Sequence, residues 1–130
     1  MLVVDASYAV RALGAVDGFG ELADDALVAP PLLWPEARSV LHARLARGEL
    51  AREDAYRARE RLEAGPLDQR HPPELGREAW RIADELGWVR TYDAEYVALA
   101  SLLECRLVTI DARLRRGADR LGFVVGPGEL

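Results

Sequence analysis

Four acidic side chains stand where carboxylates could act together. Asp5 follows the apolar run Leu2-Val3-Val4, and Asp111 follows Leu107-Val108-Thr109-Ile110. In an open parallel sheet, ligands bind outside the carboxyl ends of the strands, so both acids are delivered to the reactive edge. Asp93 opens a helical run in which Asp93, Tyr96, Ala100 and Leu103 share one face at about 100° per residue. Glu36 flanks the helical stripe Leu33, Ala37, Val40 and Leu41. Each acid also has an ordinary structural use. Aspartate is a preferred helix N-cap, and an acid in a first helical turn complements the helix dipole. Taken together, two strand-end acids and two helix-start acids can converge on one pocket. Two carboxylates about 4 Å apart repel by roughly 4 kcal/mol at an effective dielectric near 20. Such a pocket holds protons or a divalent cation, and an all-oxygen ligand set suits Mg²⁺ or Mn²⁺ and suits zinc poorly. Glu49, Glu53, Glu60, Glu63, Glu78 and Glu85 lie in polar contexts and read as solvated faces.

The elements that must position these acids alternate between short strands and helices. Leu2-Val3-Val4 reads as a buried strand, followed by a helix over residues 6–13 that Gly14 ends. A short helix is expected over 19–25, then a strand or plain connection at Leu27-Val28-Ala29, stopped by Pro30-Pro31. Leu33, Ala37, Val40, Leu41 and Leu45 predict a helix closed by Gly48. Residues 52–63 are charged, with Tyr56 and Leu62 as their large apolar residues, and predict an exposed helix or arm. Pro66-Leu67-Asp68 can hold a short strand. Leu75, Ala79, Ile82, Ala83 and Leu86 form an amphipathic stripe capped by Gly87. A helix over 93–104, a strand over 107–110, a helix over 112–120 and a strand at Phe123-Val124-Val125 complete the chain. The pattern is that of a single α/β domain over residues 1–130, with a mostly parallel central sheet flanked by helices in an α/β/α arrangement.

Composition narrows the chemistry further. The chain of 130 residues is half hydrophobic and 30% charged, as expected of a soluble globular domain. Its apolar runs are far too short to span a bilayer, and no basic segment precedes the first one, so a cytoplasmic location is expected. The one cysteine, Cys105, excludes an intramolecular disulfide and argues against a cysteine-based zinc site. All 17 basic side chains are arginine. The absence of lysine disfavours a Walker A loop. It also disfavours receiver domains and dehalogenase-type phosphatases, and no second acid stands two residues after Asp5. The net charge of −5 argues against a basic nucleic-acid coat but permits a local arginine rim.

The chain resembles the PIN-domain ribonucleases, and within them the VapC-type toxins of bacterial toxin–antitoxin pairs. The matching residues are Val3-Val4-Asp5-Ala6-Ser7; Pro35-Glu36 with Val40-Leu41; Tyr92-Asp93-Ala94-Glu95-Tyr96-Val97-Ala98-Leu99-Ala100; and Leu107-Val108-Thr109-Ile110-Asp111 with Leu114. Their order covers essentially the whole chain. The third and fourth segments in succession are the specific part; Asp-x-Ser alone says little. Ile110 stands where a small residue is frequent, and residues 52–73 carry no recognisable motif.

The resemblance implies Mg²⁺-dependent (or Mn²⁺-dependent) endonucleolytic hydrolysis of RNA phosphodiester bonds. Asp5, Glu36, Asp93 and Asp111 would form the catalytic and metal pocket, with Asp5 and Asp93 the more direct ligands. Glu36 and Asp111 would bind through water or hold a second ion. Ser7 and Thr109 would orient the acids through their hydroxyls. Arg11, Arg38, Arg113, Arg115 and Arg116 are candidates for contacting RNA phosphates, which the planar guanidinium suits. A small VapB-like antitoxin and a homodimer are implied as partners, with no membrane. The competing expectation is a catalytically inactive PIN-like module that binds RNA or protein, against which the retention of all four acids argues. His42 and His71 have no evident partner. Trp34, Trp80 and Trp88 could stack on bases but suit packing as well.

Overall fold

Very short apolar runs build the sheet. The computed structural model describes residues 1–130. Its strands are β1 (Leu2–Val4), β2 (Leu27–Ala29), β3 (Leu67–Gln69), β4 (Arg106–Val108) and β5 (Val124–Val125). All neighbours pair in parallel, in the order β3-β2-β1-β4-β5. A parallel strand covered on both faces reads as a continuous apolar run, and among the three inner strands every residue of β1 and β2 is buried, as are Leu107 and Val108 of β4.

Six helices connect the strands: α1 (Ala6–Gly14), α2 (Leu33–Ala46), α3 (Arg52–Ala64), α4 (Leu75–Leu86), α5 (Tyr92–Leu102) and α6 (Ala112–Ala118). The chain steps from β1 to β3 towards one edge, then returns to β4 and β5 on the other side of β1. Parallel crossovers are right-handed, so the reversal moves the helices to the opposite face. Accordingly α1, α2 and α3 pack on one another, whereas α4 packs on α5 and α5 lies against β1 and β4. α6 joins the second group, because the Trp88 ring after α4 lies 3.1 Å from where a Cβ on Gly117 would stand. The core runs through Val3, Val4, Val28 and Leu107 of the sheet to Tyr8, Leu33, Val97 and Leu99 of the helices. No helix is long and apolar enough to cross a membrane.

The reversal of direction falls between β1 and β4. That topological switch point is where open α/β sheets bind ligands, and Asp5 and Asp111 stand on its two sides.

Several element boundaries differ from the sequence expectation. The strand expected over 107–110 ends at Val108, and the side chains of the next residues turn to the site described below. The helix expected over 112–120 ends at Ala118 and finishes as a 3₁₀ turn, Asp119–Leu121. The short helix expected over 19–25 is a single 3₁₀ turn, Gly20–Leu22. The charged stretch expected to be an exposed helix or arm is a helix, α3, exposed except for Ala55, Ala58 and Leu62, through which it docks. Two of those three are alanines, too small to mark an apolar stripe in a charged sequence.

Candidate functional site

The parallel register places the first acid. Val4 of β1 lies beside Val108 of β4, so the next residue on each strand, Asp5 and Thr109, also meet. The Thr109 hydroxyl donates to Asp5 Oδ2 at 2.5 Å. The Ser7 hydroxyl lies 2.7 Å from Oδ1 and 3.0 Å from Oδ2, and the Tyr8 amide donates to Oδ1 at 2.9 Å as the N-cap bond of α1. Asp5 therefore is a cap, but the cap uses only one oxygen. Backbone amides complete the lattice: Ile110 N–H donates to Ser7 Oγ at 3.2 Å and Asp111 N–H to Thr109 Oγ1 at 3.0 Å. Asp5 is only 3% exposed. Burial raises its pKa, the Thr109, Tyr8 and Ser7 hydrogen bonds oppose that rise, and Asp111 adds to it.

Asp111 caps α6 in the same manner. Its Oδ1 accepts from the amides of Arg113 at 2.9 Å and Leu114 at 3.3 Å, which leaves Oδ2 without a protein donor. Asp93 is not a cap. α5 begins at Tyr92 with Thr91 in the N-cap position, and Asp93 points a half-buried carboxylate with no hydrogen-bond donor from the chain towards the switch point. Desolvation and then Asp111 raise its pKa, while Arg113 lowers it. Glu36, in the first turn of α2, accepts from the Tyr96 hydroxyl at 3.2 Å. Its pKa is raised by burial, then by Asp93, Asp5 and Glu95, against the Tyr96 hydrogen bond.

Asp5, Glu36, Asp93 and Asp111 line one cleft of about 390 Å³, together with Ser7, Val10, Val40, Arg44 and Ile110. The cleft continues into a groove of about 780 Å³ that shares Glu36, Val40, Asp93 and Asp111 and is walled by Trp88, Val89, Arg90, Tyr92 and Arg113. All donors in the cleft are oxygens. No three acids converge on one point at direct ligand distance. A further cavity of about 500 Å³, between the end of α1 and the end of α3, contains no such acid group.

The sequence pattern of the PIN domain family matches residues 2–120. The chain belongs to the PIN domain family, among the VapC-type ribonucleases. It is 37% identical to ribonuclease VapC9 of Mycobacterium tuberculosis over 116 residues, 88% of either chain. It is 36% identical to ribonuclease VapC1 of the same species over 121 residues, 86% of either chain. The crystal structure of PAE2754 from Pyrobaculum aerophilum superposes with a TM-score of 0.77 at 26% identity, covering 98% of this chain and 91% of that one.

Within this PIN domain the five arginines singled out from the sequence are dispersed. Arg113 walls the groove beside Asp93. Arg11 pairs with Glu21 at 2.5 Å and lies over the Tyr8 ring. Arg38 pairs with Glu63 across α2 and α3 at 2.9 Å. Arg115 is held by Glu129 and faces Asp119. Arg116 is exposed on α6 and lines neither cavity. Three residues that sequence reasoning did not assign stand at the site: Tyr96, Arg44 and Tyr92. Tyr96 had a readable signal, because it shares the helical face of Asp93. Arg44 had one too, standing two turns after Glu36 at positions i and i+8.

Proposed function

We propose that this chain, as a single domain over residues 1–130, is a divalent-metal-dependent endoribonuclease and the toxin of a VapBC pair, acting in the cytoplasm. The observation that carries the reading is Asp93: a half-buried carboxylate with no protein donor, facing Glu36 and Asp111 across one cleft. Such a group is stable when a proton or a cation neutralises it.

The donor set fits a hard ion. The cleft offers carboxylate and hydroxyl oxygens and no nitrogen or sulfur ligand. Mg²⁺ keeps several waters and takes one or two carboxylates directly, so its binding does not require three converging acids. Asp5 and Asp93 are the residues that would hold it directly, with Glu36 and Asp111 reaching it through water or holding a second ion. The ion, when bound, would screen the acids, polarise a phosphoryl oxygen and make water nucleophilic near neutral pH.

The chain's own groups do the positioning. Thr109 and Ser7 fix the Asp5 carboxylate through hydroxyl donors; with Ser7 and the Tyr8 amide on Oδ1, a lone pair remains on Oδ2. Tyr96 holds Glu36 by one oxygen, and the other is available to accept the proton of an attacking water. The water oxygen forms the new bond to phosphorus, the bridging P–O bond breaks, and the leaving strand's oxygen takes a proton. The reading brings a VapB-like antitoxin partner with it, in line with the VapC names of the relatives, and a homodimer belongs to the same proposal.

The test is cleavage of a labelled RNA by the purified protein. The expected result is cutting in Mg²⁺ or Mn²⁺, none in EDTA, and none by Asp5→Ala or Asp93→Ala at unchanged far-UV dichroism. Equal cutting in EDTA contradicts the proposed chemistry. Expression of the wild-type chain is expected to arrest growth, and co-expression with a VapB-like antitoxin to restore it. Undisturbed growth with active enzyme contradicts the toxin role alone.

A further inference from the structure

Between the end of β4 and the start of α6, a short link outside any strand or helix carries two of the site's groups, Thr109 and Asp111. One side of this link is fixed by Asp5 and Ser7, as described above. The other side is fixed by the segment that leaves β5. The Thr109 amide donates to the Val125 carbonyl at 3.0 Å. Beyond Val125 the chain folds back through a 3₁₀ turn, Pro127–Glu129, in which the Glu129 amide donates to the Gly126 carbonyl at 3.1 Å. The turn brings the Glu129 carboxylate onto α6, where Arg115 grips both of its oxygens. Nη1 donates to Oε1, and Nη2 donates to Oε2 at 2.7 Å. The Gly126 amide also donates to Oε1, at 3.1 Å. Arg115, and then the Gly126 amide, hold the Glu129 carboxyl below its ordinary pKa range.

Two features tie this ion pair to the site. Arg115 and Asp111 share one turn of α6, because the Arg115 amide donates to the Asp111 carbonyl at 3.0 Å. Gly126 is wedged between the pair and the Thr109 peptide. A Cβ there would lie 3.3 Å from Glu129 Oε1, 3.4 Å from Arg115 Nη1 and 4.0 Å from the Thr109 carbonyl oxygen. Glycine therefore lets the pair close directly behind the link that holds Thr109 and Asp111. A bidentate arginine–carboxylate fork fixes direction as well as distance. Arg115 has one other acid within reach: its Nε carries no hydrogen bond and faces Asp119 Oδ1 at 3.9 Å. That contact stays inside α6 and its cap, whereas the bond to Glu129 links α6 to the segment after β5.

We infer that Glu129 is a positioning residue of the acid site: gripped by Arg115, it clamps the link that carries Thr109 and Asp111 against the end of β1. It acts through Arg115 and touches neither substrate nor ion. The inference rests on the four-carboxylate reading above and adds the segment after β5 to the elements that hold the acids in place. Release of Glu129 leaves the sheet paired and frees Thr109 and Asp111 to move together, so the effect falls on ion binding before it falls on folding.

The test combines amide hydrogen exchange, read by NMR, with calorimetric titration of Mn²⁺ into the metal-free wild type, Glu129→Ala and Asp119→Asn. In Glu129→Ala the amides of Thr109 and Asp111 are expected to exchange about tenfold faster through local opening, while those of Val3 and Val4 keep their wild-type rates. The same variant is expected to bind Mn²⁺ roughly tenfold more weakly, the lower end of the cost of losing a group that orients a ligand. Asp119→Asn is expected to match the wild type in both measurements. Wild-type exchange at Thr109 and Asp111 in Glu129→Ala, or acceleration that extends equally to β1, overturns the inference while the nuclease reading stands. So does wild-type Mn²⁺ affinity in that variant, or an equal loss in Asp119→Asn. If the wild type binds no Mn²⁺, the four-carboxylate reading fails and the exchange pattern alone decides the clamp. Faster exchange confined to Thr109 and Asp111 then supports it, and unchanged or uniform exchange overturns it.

Discussion

The Thr109 hydroxyl donates to Asp5 Oδ2 across 104 residues of sequence, because parallel pairing sets the ends of β1 and β4 side by side. That bond joins the two sides of the switch point and fixes the most buried acid of the site. The amide of Asp111 bonds the same hydroxyl, so one threonine indexes two of the four carboxylates.

Replacing Thr109 by valine keeps the shape and removes the donor. Asp5 then keeps the burial that raises its pKa and loses the largest opposing interaction. Thr109→Val is expected to weaken divalent-ion affinity by roughly 10- to 100-fold, the usual cost of losing a group that orients a ligand. The acid limb of the pH–rate profile is expected to move to higher pH, and Thr109→Ser to retain most of both properties. Ion titration of the three proteins checks this. A valine variant with unaltered affinity contradicts it.

The acids also set a pH dependence of stability. Asp5, Glu36 and Asp93 all have pKa values raised in the folded chain. The folded state then binds these protons more tightly than the unfolded one, and stability rises with pH only where the unfolded state binds more. Their contribution is fully present below the unfolded carboxylate range, near pH 4, and is lost as pH rises through the folded values. Metal-free protein is therefore expected to lose this part of its stability towards neutral pH, and Mg²⁺ to restore it. Asp93→Asn is expected to stabilise the metal-free protein at pH 7 by about 0.5–2 kcal/mol, the range of single stabilising changes. Urea unfolding in EDTA and in Mg²⁺ reads both effects. A destabilised asparagine variant goes against the account.

The docking of α3 has its own test. Leu62 is buried against the core, whereas Glu60 is exposed on the opposite face. Leu62→Ala is expected to cost about 2–5 kcal/mol, as for large-to-small changes in cores. Glu60→Ala is expected to stay within about 0.5 kcal/mol. Equal, small effects at both positions describe a detached arm.

How far the sequence could be read follows from which interactions are local. Asp5 and Asp111 were legible because apolar runs end at them and a parallel sheet gathers strand ends. The face shared by Asp93 and Tyr96 was legible from helical spacing alone. The bond from Tyr96 to Glu36 was not, since it depends on how α5 meets α2 across the sheet end. The exposed helix α3 was legible from its charge, but its docking was not, because Ala55 and Ala58 bury a face on which Leu62 is the one large side chain. The arginines could be counted but not paired in advance. Glu21, Glu63 and Glu129, far away in sequence, engage Arg11, Arg38 and Arg115.

The most direct measurement is calorimetric titration of Mn²⁺ into the metal-free wild type and into Asp93→Asn, with Glu85→Gln on the exposed face of α4 as the reference. The four-carboxylate site is expected to bind the ion in the wild type and in Glu85→Gln with equal affinity. Asp93→Asn is expected to bind at least tenfold more weakly. Equal affinity in all three proteins, or no binding by the wild type, would contradict a metal centre built on these acids.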